Sequence, residues 1–307
     1  MNKMYNYRIK KEKNNMNDKE ITLKNGMIIP SIGFGTCKHN IEESIDNIIK
    51  DALDMGYRYF DTASYYATER DIGRALKASG LKRSEYYVAT KLWYEELGYD
   101  NAKKACQNSL ERLDTDYIDI YFIHWPKQSM EDSNWKEKIK ETWQAMIELK
   151  KEGKVKALAV SNFLPHHLQV IIDNFDELPV IDQLELHLGY QQEYALNFIK
   201  KHNIQPQAWS PLGRGMKDLS SNKAICEMAK KYNVSIQKLG LRFLTQRGIM
   251  PIVWSTSKEH MIENLNPFDF EIKDEDMSML ICMPQVGWLG EHPDFFLPLG
   301  KHLNPNQ

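Results

Sequence analysis

YIDIYFIH, residues 117–124, is a short run rich in β-branched and aromatic side chains that ends on a polar, reactive residue, His124. The same pattern repeats outward in both directions. Towards the N-terminus come SIGFGT ending at Thr36, YRYFDT passing through Asp61, and YYVATK ending at Lys91. Towards the C-terminus come VKALAVS ending at Ser161, VIDQ at Gln183, QPQAWS around Trp209, and IMPIVW at Trp254. That makes eight candidate strands. Their end markers lie 22 to 45 residues apart, and all but the last interval suit one strand, one helix and two loops.

The intervening stretches have helical apolar spacing. IEESIDNIIKDALDMG (41–56) closes at Gly56, and the 134–152 segment closes at Gly153, both plausible positions just past a helix end. Strands alternating with helices imply a parallel sheet. Eight such units in about 250 residues fit a closed (β/α)8 barrel of the TIM type, and no linker rich in Pro, Gly or Ser interrupts them. The longest interval, 210–248, has room for a loop and an additional helix. Upstream, ITLKNGMIIP (21–30) places Asn25-Gly26 between two apolar runs, the signal of a β-hairpin with a type I′ turn. Residues 1–19 are polar, rich in Lys and Asn, and read as a flexible extension; 20–307 reads as a single domain.

Composition narrows the function. The 40 basic and 42 acidic side chains are interspersed along the chain, so no global field draws in nucleic acid or an anionic membrane. Cys37, Cys106, Cys226 and Cys282 are far apart and show no metal-ligand spacing, which points to free thiols in a reducing, cytoplasmic setting. There is no apolar run of membrane-spanning length, and the N-terminus has no apolar signal region. The adjacent pair His166-His167 invites a metal reading. Neighbours at a helix start are expected to point to different faces, and no third ligand is spaced to join them.

In a barrel of this kind the C-terminal ends of the strands share one mouth, so Asp61, Tyr66, Lys91 and His124 converge there. Each has a structural reading when taken singly: helix cap, half-buried packing, a snorkelling stem, a satisfied core histidine. Taken together they make a proton-delivery site. A phenol has a reference pKa of about 10, and a nearby ammonium favours its ionised form. Lys91 supplies that charge, Asp61 holds Lys91 in place, and His124 offers a hydrogen bond to an oxygen that gains negative charge.

These motifs resemble the aldo-keto reductases, over about 280 residues. FDTASYYATERDIGRAL (60–76) is similar to that family's first signature, ATKLW (89–93) to the segment with its catalytic lysine, and YIDIYFIHWP (117–126) to the segment with its catalytic histidine. The resemblance implies a catalytic tetrad of Asp61, Tyr66, Lys91 and His124. It also implies that Thr36 and Asp61 lie on the cofactor path and that Ser161, Asn162 and Gln183 hold a nicotinamide carboxamide. Trp209 would stack on the ring, with Ser210 and Leu212 along the pyrophosphate. Ser255, Thr256, His260, Glu263 and Asn264 would form the adenosine end. The activity so implied is hydride transfer from NADPH or NADH to the carbonyl of a small-molecule aldehyde or ketone, with Tyr66 as proton donor. His at 124 favours carbonyl over carbon–carbon double-bond reduction.

Two departures stand out. NADPH-preferring members commonly carry cations near the eighth strand, where this chain has Val253, Trp254, Ser255 and His260, so a weakened preference for NADPH, with room for NADH, is expected unless Lys258 compensates. The substrate pocket should be lined by Cys37, Trp93, Trp125 and Trp288. Cys37 stands where a Trp is frequent, and Trp288 lies in QVGWLGEHPDFF (285–296), which resembles the family's substrate loop. The family default is a monomer. A second reading from the same resemblance is a non-catalytic, cofactor-binding regulatory subunit.

Overall fold

The computed structural model describes residues 19–37, 44–129, 131–213, 219–285, 288–289 and 292–294. Strands β1 (Glu20–Thr22) and β2 (Ile28–Pro30) form an antiparallel hairpin. Its turn differs from the type I′ expected from Asn25-Gly26. Gly26 has φ +83°, Asn25 is not in the left-handed region, and Gly26 N–H donates to the Leu23 carbonyl while Leu23 N–H donates to Met27. A right-handed turn closed by one left-handed glycine therefore makes the connection, and the Asn25 side chain accepts from Met27 N–H.

Eight parallel strands then close into a barrel: β3 (Gly33–Gly35), β4 (Tyr59–Asp61), β5 (Tyr87–Leu92), β6 (Ile118–Ile123), β7 (Val155–Ser161), β8 (Ile181–Glu185), β9 (Gln205–Trp209) and β10 (Met250–Val253). They follow chain order around the ring, and β10 pairs with β3 to complete it. All eight are the runs singled out above. Inside, Tyr59, Ala89, Ile120, Phe122, Ala157, Ala159, Ile181, Met250 and Ile252 fill the lower barrel, and Leu23 and Ile29 of the hairpin pack onto the same cluster. The hairpin thus plugs the N-terminal end and leaves the opposite mouth for chemistry. At the β3–β10 seam a Cβ on Gly33 would stand 2.5 Å from Ile252 Cδ1 and 2.7 Å from Tyr59 Cδ1, so a larger residue there would force these side chains to shift.

The helices follow from their spacing. In α1 (Ile45–Asp54) the buried residues Ile45, Ile48, Ile49, Ala52 and Leu53 form one stripe, and Gly56 at φ +104° ends the helix as expected. α2 (Glu69–Ala78), α3 (Tyr99–Leu113), α4 (Trp135–Lys151), α5 (Pro165–Asn174) and α6 (Glu193–Lys201) continue the alternation. Gly153 stops α4 at φ +77°. The long interval before β10 holds two helices, α7 (Lys223–Lys231) and α8 (Ile236–Gln246), followed after β10 by α9 (Lys258–Leu265) and α10 (Asp274–Ile281). The expected flexible extension lies almost wholly in residues 1–18, outside the described residues.

One buried acid stands apart from the mouth. Asp182 is fully buried in β8, and neither carboxylate oxygen has a hydrogen-bond partner of ordinary geometry. Burial raises its pKa well above the usual carboxylate range, and the Phe163 N–H offsets this only in part. The folded chain therefore holds a proton that the unfolded chain releases above pH ~4, so stability falls as pH rises through that window by about 1.4 kcal/mol per unit. Asp182→Asn should remove this term. Thermal melts at pH 5 and 8 should show a smaller loss of Tm in the variant than in the wild type; equal losses would refute the assignment.

Candidate active site

The strand ends bring the four expected residues together. Asp61 closes β4 and is 3% exposed, and Lys91 lies near the end of β5 with no exposure at all. Their charges meet directly, Lys91 Nζ donating to Asp61 Oδ1 at 2.5 Å and to the Thr62 carbonyl at 2.9 Å. Two buried charges are tolerable here because each is paired and hydrogen-bonded. The second Asp61 oxygen accepts from Gln183 Nε2 at 3.0 Å, and the Asp61 carbonyl accepts from Thr36 Oγ1 at 3.0 Å.

Tyr66 rides on a single 3-10 turn, Ser64–Tyr66, that follows β4 and ends at Ala67 in the left-handed region. Its ring centroid is 5.4 Å from Lys91 Nζ, and its hydroxyl lies 3.3 Å from His124 Nε2. His124 follows β6 and is buried; burial, and secondarily the Lys91 ammonium, hold its pKa well below the usual imidazole range. The ring is therefore neutral at physiological pH. Its Nδ1 is buried without a hydrogen-bond partner, so Nε2 is the nitrogen turned to Tyr66.

A second set of expected residues continues the network. Asn162, at φ +62° just beyond β7, donates from Nδ2 to the His124 carbonyl at 3.0 Å and accepts at Oδ1 from Trp209 Nε1 at 2.8 Å. A short polar side chain tolerates that left-handed backbone better than a bulky one. Ser161 Oγ donates to the Gln183 carbonyl, and Gln183 Nε2 also donates to Gln207 Oε1 at 2.6 Å. The half-buried Trp209 indole is thereby tied to the Asn162 amide, and the two together offer polar groups and a flat apolar face suited to a nicotinamide ring and its carboxamide. Gln207 was not anticipated. It sits two residues before Trp209, so strand alternation turns both to the same face.

Trp93 and Trp125 both lie beside His124. The Trp93 ring is 4.9 Å from that of His124 and stacks on Tyr65 at 3.9 Å, while Trp125 lies 6.4 Å from His124. Cys37 is half-buried after β3. Trp288 is 51% exposed, and its neighbour Leu289 donates its N–H to Glu185 Oε1 at the end of β8. Ser210 takes φ +46° and accepts from Gly213 N–H, with Leu212 packed on the core.

Ser255, Thr256, His260, Glu263 and Asn264 gather separately, at the end of β10 and along α9. Asn264 is buried, His260 is exposed, and Glu263 accepts from Ser235 Oγ at 2.5 Å. Lys258 does not stand free in this group, because its Nζ is 2.9 Å from Asp51 Oδ1 on α1.

The expectation for His166 and His167 is overturned. Their ring centroids are 3.9 Å apart, and both Nε2 atoms reach Asp294 Oδ1, at 3.0 and 3.1 Å. The third group comes from the far C-terminal stretch, out of reach of any spacing rule. The arrangement is nevertheless a hydrogen-bonded clamp. His167 Nδ1 accepts the Leu164 N–H at 3.1 Å, so its Nε2 carries the proton, and Lys127 Nζ adds a cation 3.5 Å from Asp294 Oδ1. Burial lowers the His167 pKa to about 4, in keeping with a neutral donor.

The model of the Aldo/keto reductase family matches residues 31–281. The chain belongs to that family. It is 37% identical to 9,11-endoperoxide prostaglandin H2 reductase of Trypanosoma cruzi over 288 residues, covering 94% of this chain and 99% of the relative. It is 36% identical to glyoxal reductase of Bacillus subtilis, covering 90% and 97%. Among solved structures, an aldo-keto reductase enzyme from a Medee basin deep-sea metagenome library superposes with TM-score 0.82 at 36% identity, covering 90% of this chain and 98% of that one. A Bombyx mori aldo-keto reductase in complex with NADP superposes with TM-score 0.77 at 31% identity, covering 85% and 91%. As a member of this family the chain is an NAD(P)H-dependent oxidoreductase. No helix among the described residues is long and apolar enough to cross a membrane.

Proposed function

We propose that this aldo/keto reductase reduces the carbonyl of a small aldehyde or ketone, with Tyr66 as the proton donor. The reading rests above all on one observation: the Tyr66 hydroxyl and His124 Nε2, 3.3 Å apart, stand above a buried Lys91–Asp61 pair. A carbonyl oxygen placed between the two groups gains a hydrogen bond from the imidazole and a proton from the phenol as it becomes an alkoxide. Lys91 stabilises the phenolate left behind, and Asp61 holds the Lys91 side chain in position. When bound, a reduced nicotinamide supplies the hydride. Asn162, Gln183 and Trp209 would hold it, their mutual hydrogen bonds fixing where the ring lies.

The cofactor of choice is NADH on this reading. Within 253–264 the only Lys or Arg is Lys258, and Asp51 already neutralises it. Trp254 packs on Phe34, with ring centroids 5.5 Å apart, and presents no charge. Ser255 Oγ is turned back on the Ser257 backbone, and Glu259, held by Ser257 Oγ at 2.7 Å, adds an anion to the first turn of α9. A 2′-phosphate binds through charged donors, and their scarcity along 253–264 weakens NADPH relative to NADH.

Nicotinamide absorbance with NADH and NADPH in parallel tests both parts, over a panel running from an activated aromatic aldehyde through glyoxal and methylglyoxal to a sugar and a cyclic ketone. Oxidation by at least one carbonyl is expected, with a lower Kd for NADH. A hundredfold preference for NADPH would overturn the cofactor assignment. Tight cofactor binding without turnover of any carbonyl would favour the regulatory-subunit reading instead.

A further inference from the structure

The turn that carries Tyr66 and the turn that carries Trp93 meet at one carboxylate. Glu96 closes the 3-10 turn Tyr94–Glu96 after β5, and its side chain folds back so that Oε2 accepts the Trp93 N–H at 2.7 Å. The same oxygen accepts a second bond at 2.8 Å from Ser64 Oγ, the first residue of the turn that carries Tyr65 and Tyr66. Face-to-face stacking of Tyr65 on Trp93, 3.9 Å between centroids and 10° between planes, runs parallel to that link. Beyond the stack, Trp93 abuts His124, and His124 faces the Tyr66 hydroxyl.

We infer that Glu96 is a positioning residue: by bridging Ser64 and Trp93 it fixes the Tyr66 hydroxyl against His124 and holds the aromatic wall of the mouth. The inference rests on the role proposed above for Tyr66. Tyr66 sits on a single turn of three residues, whose backbone bond Tyr66 N–H to Ala63 O is 3.1 Å. The Ser64–Glu96 bond ties that turn across to the next βα loop. Misplacing a reacting group by about 1 Å can cost 10²-fold in rate, so a tether at this point has kinetic consequences.

Because a single oxygen accepts both bonds, the bridge needs an acceptor but not a charge. Glu96→Gln keeps that oxygen and is expected to retain kcat within about threefold of wild type, whereas Glu96→Leu is expected to lose about 10- to 100-fold. Ser64→Ala should fall between, and the Ser64→Ala/Glu96→Leu double variant should be no slower than Glu96→Leu alone, since both remove one link. Cofactor Kd should not change in any of them. The Trp93 contribution to the near-ultraviolet circular dichroism of the full chain, isolated as the difference between wild type and Trp93→Phe, should be lost in Glu96→Leu and kept in Glu96→Gln, and this readout does not depend on turnover. Loss of rate in Glu96→Gln equal to that in Glu96→Leu would mean the charge matters and would overturn the inference. So would additive losses in the double variant, or an unchanged Trp93 signal in Glu96→Leu. If wild type reduces no carbonyl, the reading of Tyr66 fails, while the spectroscopic arm still decides whether Glu96 sets the wall.

Discussion

Tyr66→Phe is expected to lower kcat for carbonyl reduction by about 10²- to 10⁴-fold, the range a positioned general acid contributes. The substitution removes a single oxygen. The phenyl ring keeps its place over Lys91, whose Nζ is 5.4 Å from the centroid, and its edge-on contact with His124 at 5.4 Å. The Lys91–Asp61–Gln183 hydrogen bonds do not involve the hydroxyl, so folding and cofactor affinity should be preserved. The loss therefore falls on kcat and not on the cofactor Kd, the signature of an interaction made in the transition state. His124 cannot take over the acid role at neutral pH, because burial keeps its ring unprotonated. Single-turnover rates with pre-bound NADH isolate the step. A variant retaining more than a tenth of the wild-type rate would show that the proton comes from another group or from water.

The distribution of what the sequence revealed has a physical cause. A barrel strand announces itself through a local run of β-branched and aromatic residues, so the eight strands and the polar residue at each end were legible, and the mouth followed from topology alone. Contacts that depend on which side chain reaches across between distant elements were not. Lys258 is counted as a cation at the phosphate end by its position in the chain, yet it pairs with Asp51 on the first helix. Asp294 closes on His166 and His167 from 128 and 127 residues further along the chain. Gln207 was within reach of strand alternation from Trp209, whereas Glu96 carries no signal beyond its helical-turn spacing from Trp93. The hairpin turn departs from the expected type for a related reason. Asn-Gly favours a two-residue turn, but the register Thr22 to Ile28 leaves five residues between the strands.

The other large effect is expected at the buried pair. Lys91→Met should destabilise the fold by about 3–5 kcal/mol, the usual consequence of leaving one member of a buried ion pair uncompensated. Lys91 is fully buried and Asp61 nearly so, so water cannot replace the missing partner. Gln183 Nε2 still donates to Asp61 Oδ2, which softens the loss but supplies no charge. Asp61→Asn should be destabilising in turn, because it leaves the ammonium with the Thr62 carbonyl and no counter-charge. Since the residues touch, the two changes must couple: Asp61→Asn/Lys91→Met should be more stable than the sum of the single losses predicts, by about 0.5–3 kcal/mol. Activity should behave in the opposite way. Removing both charges restores electrical balance but not the cation beside Tyr66, so the double variant should stay as slow as Lys91→Met. Urea unfolding of the four proteins, followed by kcat on the same preparations, separates the two roles. Additive stabilities would mean that the pair is not coupled in the fold, and recovery of kcat in the double variant would mean that Lys91 serves structure alone.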